Sequence, residues 1–220
     1  MRSKGTVYDM GIHTPMIFSW KNVIKPGSVY KKGIVSSIDL APTFLDIAGA
    51  KIPATMYGNS IKQIFTDQNT EGRKYIFAER NWHGLDEHIR CIRSQDYKFI
   101  VNAYTWLPHG TPGDLSSSLS WFSLMEAKRN GSLSAAQQRL FECPRPTIEL
   151  YDLKNDPYEL NNLAASPNYL EIGKQLSKEL TNWMKATHDY NSRERRRDDE
   201  NDRITGFPYS GIISKEYWND

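Results

Sequence analysis

The sequence predicts a chain of two parts, the end of an α/β domain followed by an α+β unit. Near the N-terminus, the apolar run 16–20 is bounded by turn residues, as in a buried strand. Farther along, the β-rich segments 89–93 and 97–104 are separated by a short polar turn, which is typical of an antiparallel hairpin. Towards the C-terminus, apolar residues recur with helical spacing, so one long helix is expected to pack on the hairpin's sheet.

We therefore place a boundary after residue 72. Residues 1–72 are predicted to end the α/β domain, residues 73–190 to form the α+β unit, and residues 191–220 to be a charged tail. The strand at 16–20 requires neighbours on both sides, and few residues precede it. We accordingly expect the chain to begin inside a domain.

The first part contains one well-marked helix, predicted over residues 36–49. Serines at its start can cap it, Pro42 lies where an early turn tolerates it, and Gly49 provides a C-terminal stop. Its apolar face is predicted from four positions at helical spacing: Leu40, Phe44, Ile47 and Ala48. A second short helix is expected over residues 60–65.

The second part opens with a predicted strand at 74–79 and a polar loop at 80–88, and the hairpin follows. Beyond it we expect helices at 119–129 and 134–141 and an alternating strand at 148–153. Ser166 and Pro167 then mark the start of the long helix. Its buried stripe is predicted to be Leu176, Leu180, Trp183 and Met184.

Charge and composition exclude some classes of function. The chain has 220 residues, with 28 basic and 26 acidic side chains and a net charge of +2, which argues against a nucleic-acid-binding protein. No apolar run is long enough to span a bilayer, and the N-terminus does not read as a signal peptide. Cys91 and Cys143 fit no zinc or redox spacing and could be free or bridged.

Several motifs in order along the chain resemble the C-terminal half of a sulfatase. Residues 4–15 match the family pattern Lys-x-x-x-Tyr-x-x-Gly-x-x-x-Pro, and residues 38–43 match its Ile-Asp-Leu-x-Pro-Thr helix. Further similarities lie at residues 58–60, in the hairpin, and in 149–163. Within the family, three segments are most similar to the heparan N-sulfatase (N-sulfoglucosamine sulfohydrolase) branch: the loop at Trp82 and His83, residues 125–127 and residues 187–189.

This resemblance implies an alkaline-phosphatase-like α/β fold and the hydrolysis of sulfate esters or sulfamates, with a sulfated sugar as the expected substrate. It also implies calcium and a formylglycine nucleophile, whose residues lie outside this chain, so the 220 residues alone are expected to be inactive. The segment Cys143-Pro144-Arg145-Pro146 has the wrong order for the formylglycine motif and is interpreted as a rigid loop. The resemblance implies a periplasmic, secreted or lysosomal protein.

Three residues are candidate site residues. The resemblance implies that Lys4 is catalytic, because a flexible ammonium group suits the charge that grows on sulfate oxygens. His83 and His88 are candidate substrate-binding residues at a pocket rim, or else incidental histidines of a surface loop. Two other functions stay open: a non-catalytic glycan-binding module, and a phosphomonoester or phosphonate hydrolase of the same superfamily.

Overall fold

The computed structural model describes residues 3–82, 86–106, 108–109, 111 and 113–189. They form two compact units. The first unit contains residues 3–13 and 77–92 together with the described residues from 98 onward, and the second contains residues 14–76 and 93–97. The predicted domain boundary after residue 72 stays a prediction.

The first unit is built on a four-stranded antiparallel sheet with the strand order β1-β2-β3-β4. The strands are β1 (Ile76–Trp82), β2 (Asp86–Arg93), β3 (Tyr97–Asn102) and β4 (Ile148–Asp152). The hairpin predicted from the sequence is confirmed as β2 and β3. The α+β class is confirmed with it.

The predicted polar loop at 80–88 is wrong, because most of it is strand. β1 continues to Trp82 and β2 already begins at Asp86. Arg80 and Glu87 are charged yet buried, and Glu87 forms an ion pair with Arg145. Charged residues inside a strand interrupt the apolar alternation by which a strand is predicted. The residue that neutralises Glu87 is distant along the chain, so the sequence gives no sign that Glu87 is buried.

Seven α-helices are found among the described residues. They are α1 (Asp9–Ile12), α2 (Leu40–Ile47), α3 (Lys62–Thr66), α4 (Gly113–Ser116), α5 (Leu119–Arg129), α6 (Ala135–Gln138) and α7 (Leu170–Ala186). Three 3-10 turns accompany them, at Ser37–Asp39, Arg139–Phe141 and Pro167–Tyr169. α5 has its predicted bounds, and the hydroxyl of Ser118 caps it by accepting from the Trp121 amide. None of the described helices has the length and hydropathy of a membrane span.

The core of the first unit lies against the sheet. Its buried cluster consists of Val7, Tyr8, Ile89, Cys91, Ile100, Tyr151 and Leu153. On α7, Leu176 and Leu180 are buried, and the indole of Trp183 stacks in parallel on Phe77 of β1, with ring centroids 5.0 Å apart. The long helix therefore packs on the sheet through the predicted stripe. Both cysteines are free, Cys91 buried and Cys143 exposed.

The predicted buried strand at 16–20 is wrong. In the second unit this segment is not part of a strand, and its exposure alternates: Ile17 is 89% exposed, whereas Met16 and Phe18 are partly buried. Phe18 and Trp20 instead pack on Phe65, with ring centroids at 4.8 and 6.3 Å. Alternate side chains of an extended segment point to opposite sides, so an apolar run can be buried on one side only.

The predicted apolar face of α2 is also wrong within this unit. Phe44 is exposed, whereas Pro42 and Thr43 are buried. The hydroxyl of Thr43 donates to the Asp39 carbonyl and accepts from the Ile61 amide at 3.0 Å, which ties the helix to the segment after Gly58. At Gly58, a Cβ would lie 1.9 Å from the Ile38 carbonyl oxygen, so only glycine fits.

A buried carboxylate organises the second unit. Both oxygens of Asp39 accept from the guanidinium of Arg73, with Nε at 3.0 and 2.9 Å, and from the backbone amides of Ser36 and Asn59 at 2.9 Å. Burial alone would raise the pKa of Asp39, but these hydrogen bonds outweigh it and hold the pKa below its usual value.

We expect Arg73→Lys to lower the free energy of unfolding by about 1.5–3 kcal/mol at pH 7, because an ammonium group cannot replace the fork of donors. Because the pKa of Asp39 is lower in the folded protein, Asp39 stabilises the fold above its unfolded pKa of about 3.9. This stabilisation is lost as the pH falls through the pKa of the folded state. Urea unfolding of both proteins at pH 7 and near pH 3 measures this. A loss of equal size at both pH values would contradict the assignment.

Candidate active site

The segment that carries Lys4 is anchored at the next tyrosine, Tyr8. This side chain is buried, and its hydroxyl donates to Oε2 of Glu149 at 2.8 Å. Glu149 also accepts from the hydroxyl of Tyr151 and from the side-chain amide of Asn102, at 2.6 Å. Three donors thus satisfy a buried carboxylate, and Tyr8 is held at the centre of the first unit.

A directed chain of hydrogen bonds reaches Tyr8 from the other side. Nδ1 of His109 lies 3.1 Å from Nη1 of Arg145, and Nε2 lies 3.3 Å from the Tyr8 hydroxyl. A guanidinium can only donate, so Nδ1 must accept, and the imidazole proton is on Nε2. His109 therefore donates to Tyr8, and Tyr8 donates to Glu149.

Arg145 is fixed by an ion pair with Glu87 of β2. Nη2 lies 2.8 Å from Oε2 of Glu87 and 2.9 Å from the carbonyl oxygen of Tyr104. Arg80 is buried nearby; burial lowers its pKa, Glu87 opposes this shift, and Arg145 adds to it. The bidentate Arg145–Glu87 pair allows both charges to remain buried.

The residue after Tyr8 is anchored by a second buried group. Nζ of Lys98, from β3, lies 2.5 Å from Oδ1 of Asp9 and 2.7 Å from Oε1 of Glu159. The backbone amide of Asp9 also donates to Glu159 at 2.6 Å. Burial raises the pKa of Glu159, against the opposing effect of Lys98. The N-terminal segment is thus bound at two consecutive residues.

Lys4 lies at the exposed end of this anchored segment. Its ammonium group forms an ion pair with Asp114 in α4, and both side chains are more than half exposed. The hydrogen bond from Lys4 is the main reason why the pKa of Asp114 is lowered. The backbone is held by the Thr6 amide, which donates to the Ser3 carbonyl at 3.1 Å. The catalytic role of Lys4 stays a prediction, and its position is compatible with it.

The two candidate histidines differ in what the structure says of them. His83 lies outside the described residues. His88 does not lie on a loop, as predicted, but in β2, where it is buried and its ring centroid is 6.2 Å from that of Tyr104. A direct contact of His88 with substrate at a rim stays a prediction, whereas its contact with Tyr104 links it to the loop that follows β3.

Sequence reasoning missed the residues that organise this region. The motifs do not include His109, and the sequence places Arg145 only in a rigid loop. The structure joins them to Tyr8 and Glu87. No local signal marks such partners, because Arg145 and Glu87 are 58 residues apart and Tyr8 and Glu149 are 141 apart.

The described residues do not form a calcium site. Among the described residues, no group of three or more His, Cys, Asp or Glu side chains could hold a metal ion. Asp9 and Glu159, two acids that face a common point, already share Lys98 as their cation. No step of a mechanism is therefore assigned to a metal in this chain.

Comparison with known proteins gives the family. A family model described as "N-sulphoglucosamine sulphohydrolase, C-terminal" matches residues 2–107. An ulvan-active sulfatase of Formosa agariphila is 34% identical over 192 residues, which cover 84% of this chain and 36% of the relative. The chain belongs to the sulfatase family. Human N-sulphoglucosamine sulphohydrolase is 24% identical over 199 residues, covering 83% of this sulfatase chain and 38% of the human protein.

Structural comparison agrees with the sulfatase fold. A candidate sulfatase, yidJ, from Bacteroides fragilis is similar with a TM-score of 0.50 at 20% identity, covering 80% of this chain and 30% of that one. The chain spans about a third of the length of the curated relatives it matches. The resemblance inferred from the motifs is thereby confirmed, and the matching family model bears the name of the predicted branch.

Proposed function

We propose that this chain forms the C-terminal part of a sulfatase that hydrolyses sulfate esters, or sulfamates, of glycans. Three relatives support a carbohydrate substrate by their names: an ulvan-active sulfatase, an N-acetylglucosamine-6-O-sulfatase and N-sulphoglucosamine sulphohydrolase. The observation that carries the proposal is the placement of Lys4. It is an exposed cation on a segment whose next turn is bound at Tyr8 and Asp9.

In this proposal, Lys4 binds the sulfate oxygens and stabilises the negative charge that grows on them as the S–O or S–N bond breaks. An anchored backbone limits the movement of its Cα, while the flexible stem lets the ammonium group leave Asp114 for the substrate. Such a preformed cation favours the transition state because little reorganisation is needed at the moment of reaction. The attacking nucleophile and the calcium are proposed to come from residues outside this sequence.

We expect Lys4→Ala in the full-length protein, matured and loaded with calcium, to lower kcat by about 10²–10³-fold. The loss follows from removing a charge that acts on the transition state. The measurement is sulfate release from sulfated tetrasaccharides prepared from ulvan and from heparan sulfate. Lys174→Ala is the matched control, since Lys174 is an exposed lysine in a surface pair with Glu171.

The control should keep wild-type kcat, and both variants should keep the wild-type midpoint of thermal unfolding. Wild-type kcat in Lys4→Ala would refute the assigned role. Faster hydrolysis of phosphate or phosphonate esters than of any sulfate ester would assign the protein to another hydrolase class. We also expect the 220-residue chain alone to release no sulfate, and measurable release by it would show that its own residues suffice.

A further inference from the structure

The loop between β3 and α4 presents one exposed aromatic ring, Trp106. We propose that Trp106 is a stacking platform for a sugar ring of the substrate and helps determine specificity for glycans over small sulfate esters. This inference rests on the proposed function and adds a binding residue that neither Lys4 nor the two predicted histidines provides.

The backbone on both sides of the ring is fixed. The Arg145 amide donates to the Thr105 carbonyl at 2.8 Å, and Sγ of Cys143 lies 3.1 Å from the Trp106 carbonyl oxygen. The guanidinium of Arg145 holds the Tyr104 carbonyl at 2.9 Å. Three consecutive residues are therefore bound to one neighbouring segment, so little conformational entropy remains to be lost when a ligand binds.

The indole itself is supported but open. The ring centroid of Tyr104, which is buried, lies 5.4 Å from that of Trp106, with the planes inclined by 43°. Despite this neighbour, Trp106 is 56% exposed. The exposed indole face is thus in contact with water and held on a rigid support. Burying this apolar face under a ligand would be favourable.

The loop and the helix α4 that follows it each contact the segment of the predicted catalytic residue. His109 donates to the Tyr8 hydroxyl, and Asp114 pairs with Lys4. Three residues of chain span at most about 11 Å, so the Cα of Trp106 lies no farther than that from the Cα of His109. In this proposal a sugar ring stacks on Trp106 while the sulfate group of the same oligosaccharide is held on the Lys4 side of the loop.

The surroundings favour a sugar over an apolar partner. Thr105, His109 and Thr111 supply hydrogen-bonding groups in the described part of this loop. Phe122 is equally exposed, but it lies on α5 beside exposed Leu119 and Met125 in a wider apolar surface. A pyranose has an apolar C–H face and a rim of hydroxyl groups, which matches a single ring among hydrogen-bonding neighbours.

The test compares Trp106→Ala, Trp106→Phe and the equally exposed control Phe122→Ala in the full-length protein. Substrates are the sulfated ulvan and heparan sulfate tetrasaccharides and 4-nitrophenyl sulfate. We expect Trp106→Ala to raise KM for the hydrolysed tetrasaccharide about 5- to 10-fold, as expected for one lost aromatic contact. KM for 4-nitrophenyl sulfate and the unfolding midpoint should not change. Trp106→Phe should retain most of the affinity, and Phe122→Ala all of it.

A wild-type KM in Trp106→Ala would overturn the proposal. An equal rise in KM for both kinds of substrate, or a lowered unfolding midpoint, would also overturn it, by assigning Trp106 to packing. If the wild-type protein hydrolyses none of these sulfate esters, the proposed function fails, and calorimetric titration with the tetrasaccharides still decides about Trp106. Weaker binding in Trp106→Ala but not in Phe122→Ala then supports the platform; equal binding, or none by the wild-type protein, overturns it.

Discussion

Replacing Lys98 with methionine will lower the free energy of unfolding of the first unit by about 3–5 kcal/mol at pH 7. Lys98 is 0% exposed, and its ammonium group is the shared cation of Asp9 and Glu159. Methionine fills a similar volume, so the loss comes from two carboxylates left without their cation rather than from a cavity. Urea unfolding followed by circular dichroism measures the change.

The pH dependence of this variant gives a second readout. The pKa of Glu159 is already raised in the folded protein, chiefly by burial. A raised folded-state pKa means that stability is greatest below the unfolded pKa of about 4.3 and falls as pH rises through the folded value. Without Lys98 the carboxylates would take up protons more readily, so the difference between variant and wild type should shrink on going from pH 7 towards pH 4.

The control for Lys98→Met is Lys178→Met, which changes an exposed lysine of α7 and should alter the free energy of unfolding by less than about 0.5 kcal/mol. Lys98→Met combined with Glu159→Gln should recover part of the loss, because one of the two uncompensated charges is then removed. If Lys98→Met and Lys178→Met unfold at the same urea concentration, the buried group does not stabilise the fold.

How far the sequence predicts this structure depends on the range of the interactions. α5 and the hairpin are set by caps, turns and periodicity within a few residues, and the sequence predicts them closely. The stripe of α7 is likewise local, since Leu176 and Leu180 repeat at helical spacing and are buried. The burial of such side chains can be predicted from the sequence alone, because the pattern that indicates it lies within two turns of one helix.

The site was predictable only in part, for the same reason. Lys4 was identified through a motif of neighbouring residues, whereas His109 and Arg145 act through partners that the fold brings together. A buried charge such as Lys98 looks like a surface residue in the sequence, because the carboxylates that neutralise it lie 89 and 61 positions away in the numbering. The prediction of a buried strand at 16–20 is wrong for a different reason, because the apolar run is covered on one side only.

The end of α7 provides the second large effect. Arg90 of β2 is buried and binds Asp189, which follows the helix, through two hydrogen bonds of 2.6 Å, one from Nε and one from Nη2. We expect Asp189→Ala to lower the free energy of unfolding by about 3–5 kcal/mol, because a guanidinium would remain buried without this carboxylate. Urea unfolding measures the loss, and hydrogen exchange should show it first in the last turn of α7.

Two further variants distinguish the lost charge from a general weakening of the helix. Asp189→Asn keeps one acceptor for Arg90 and should cost less than Asp189→Ala. Glu171→Ala removes an exposed carboxylate from the first turn of α7, where it pairs with the exposed Lys174, and should cost less than about 1 kcal/mol. Nε of Arg90 also lies 3.6 Å from Oε2 of Glu79. If Glu79 moves closer to Arg90 in Asp189→Ala, the loss in free energy of unfolding will be smaller. Equal losses for Asp189→Ala and Glu171→Ala would mean that the Arg90–Asp189 pair does not hold the helix to the sheet.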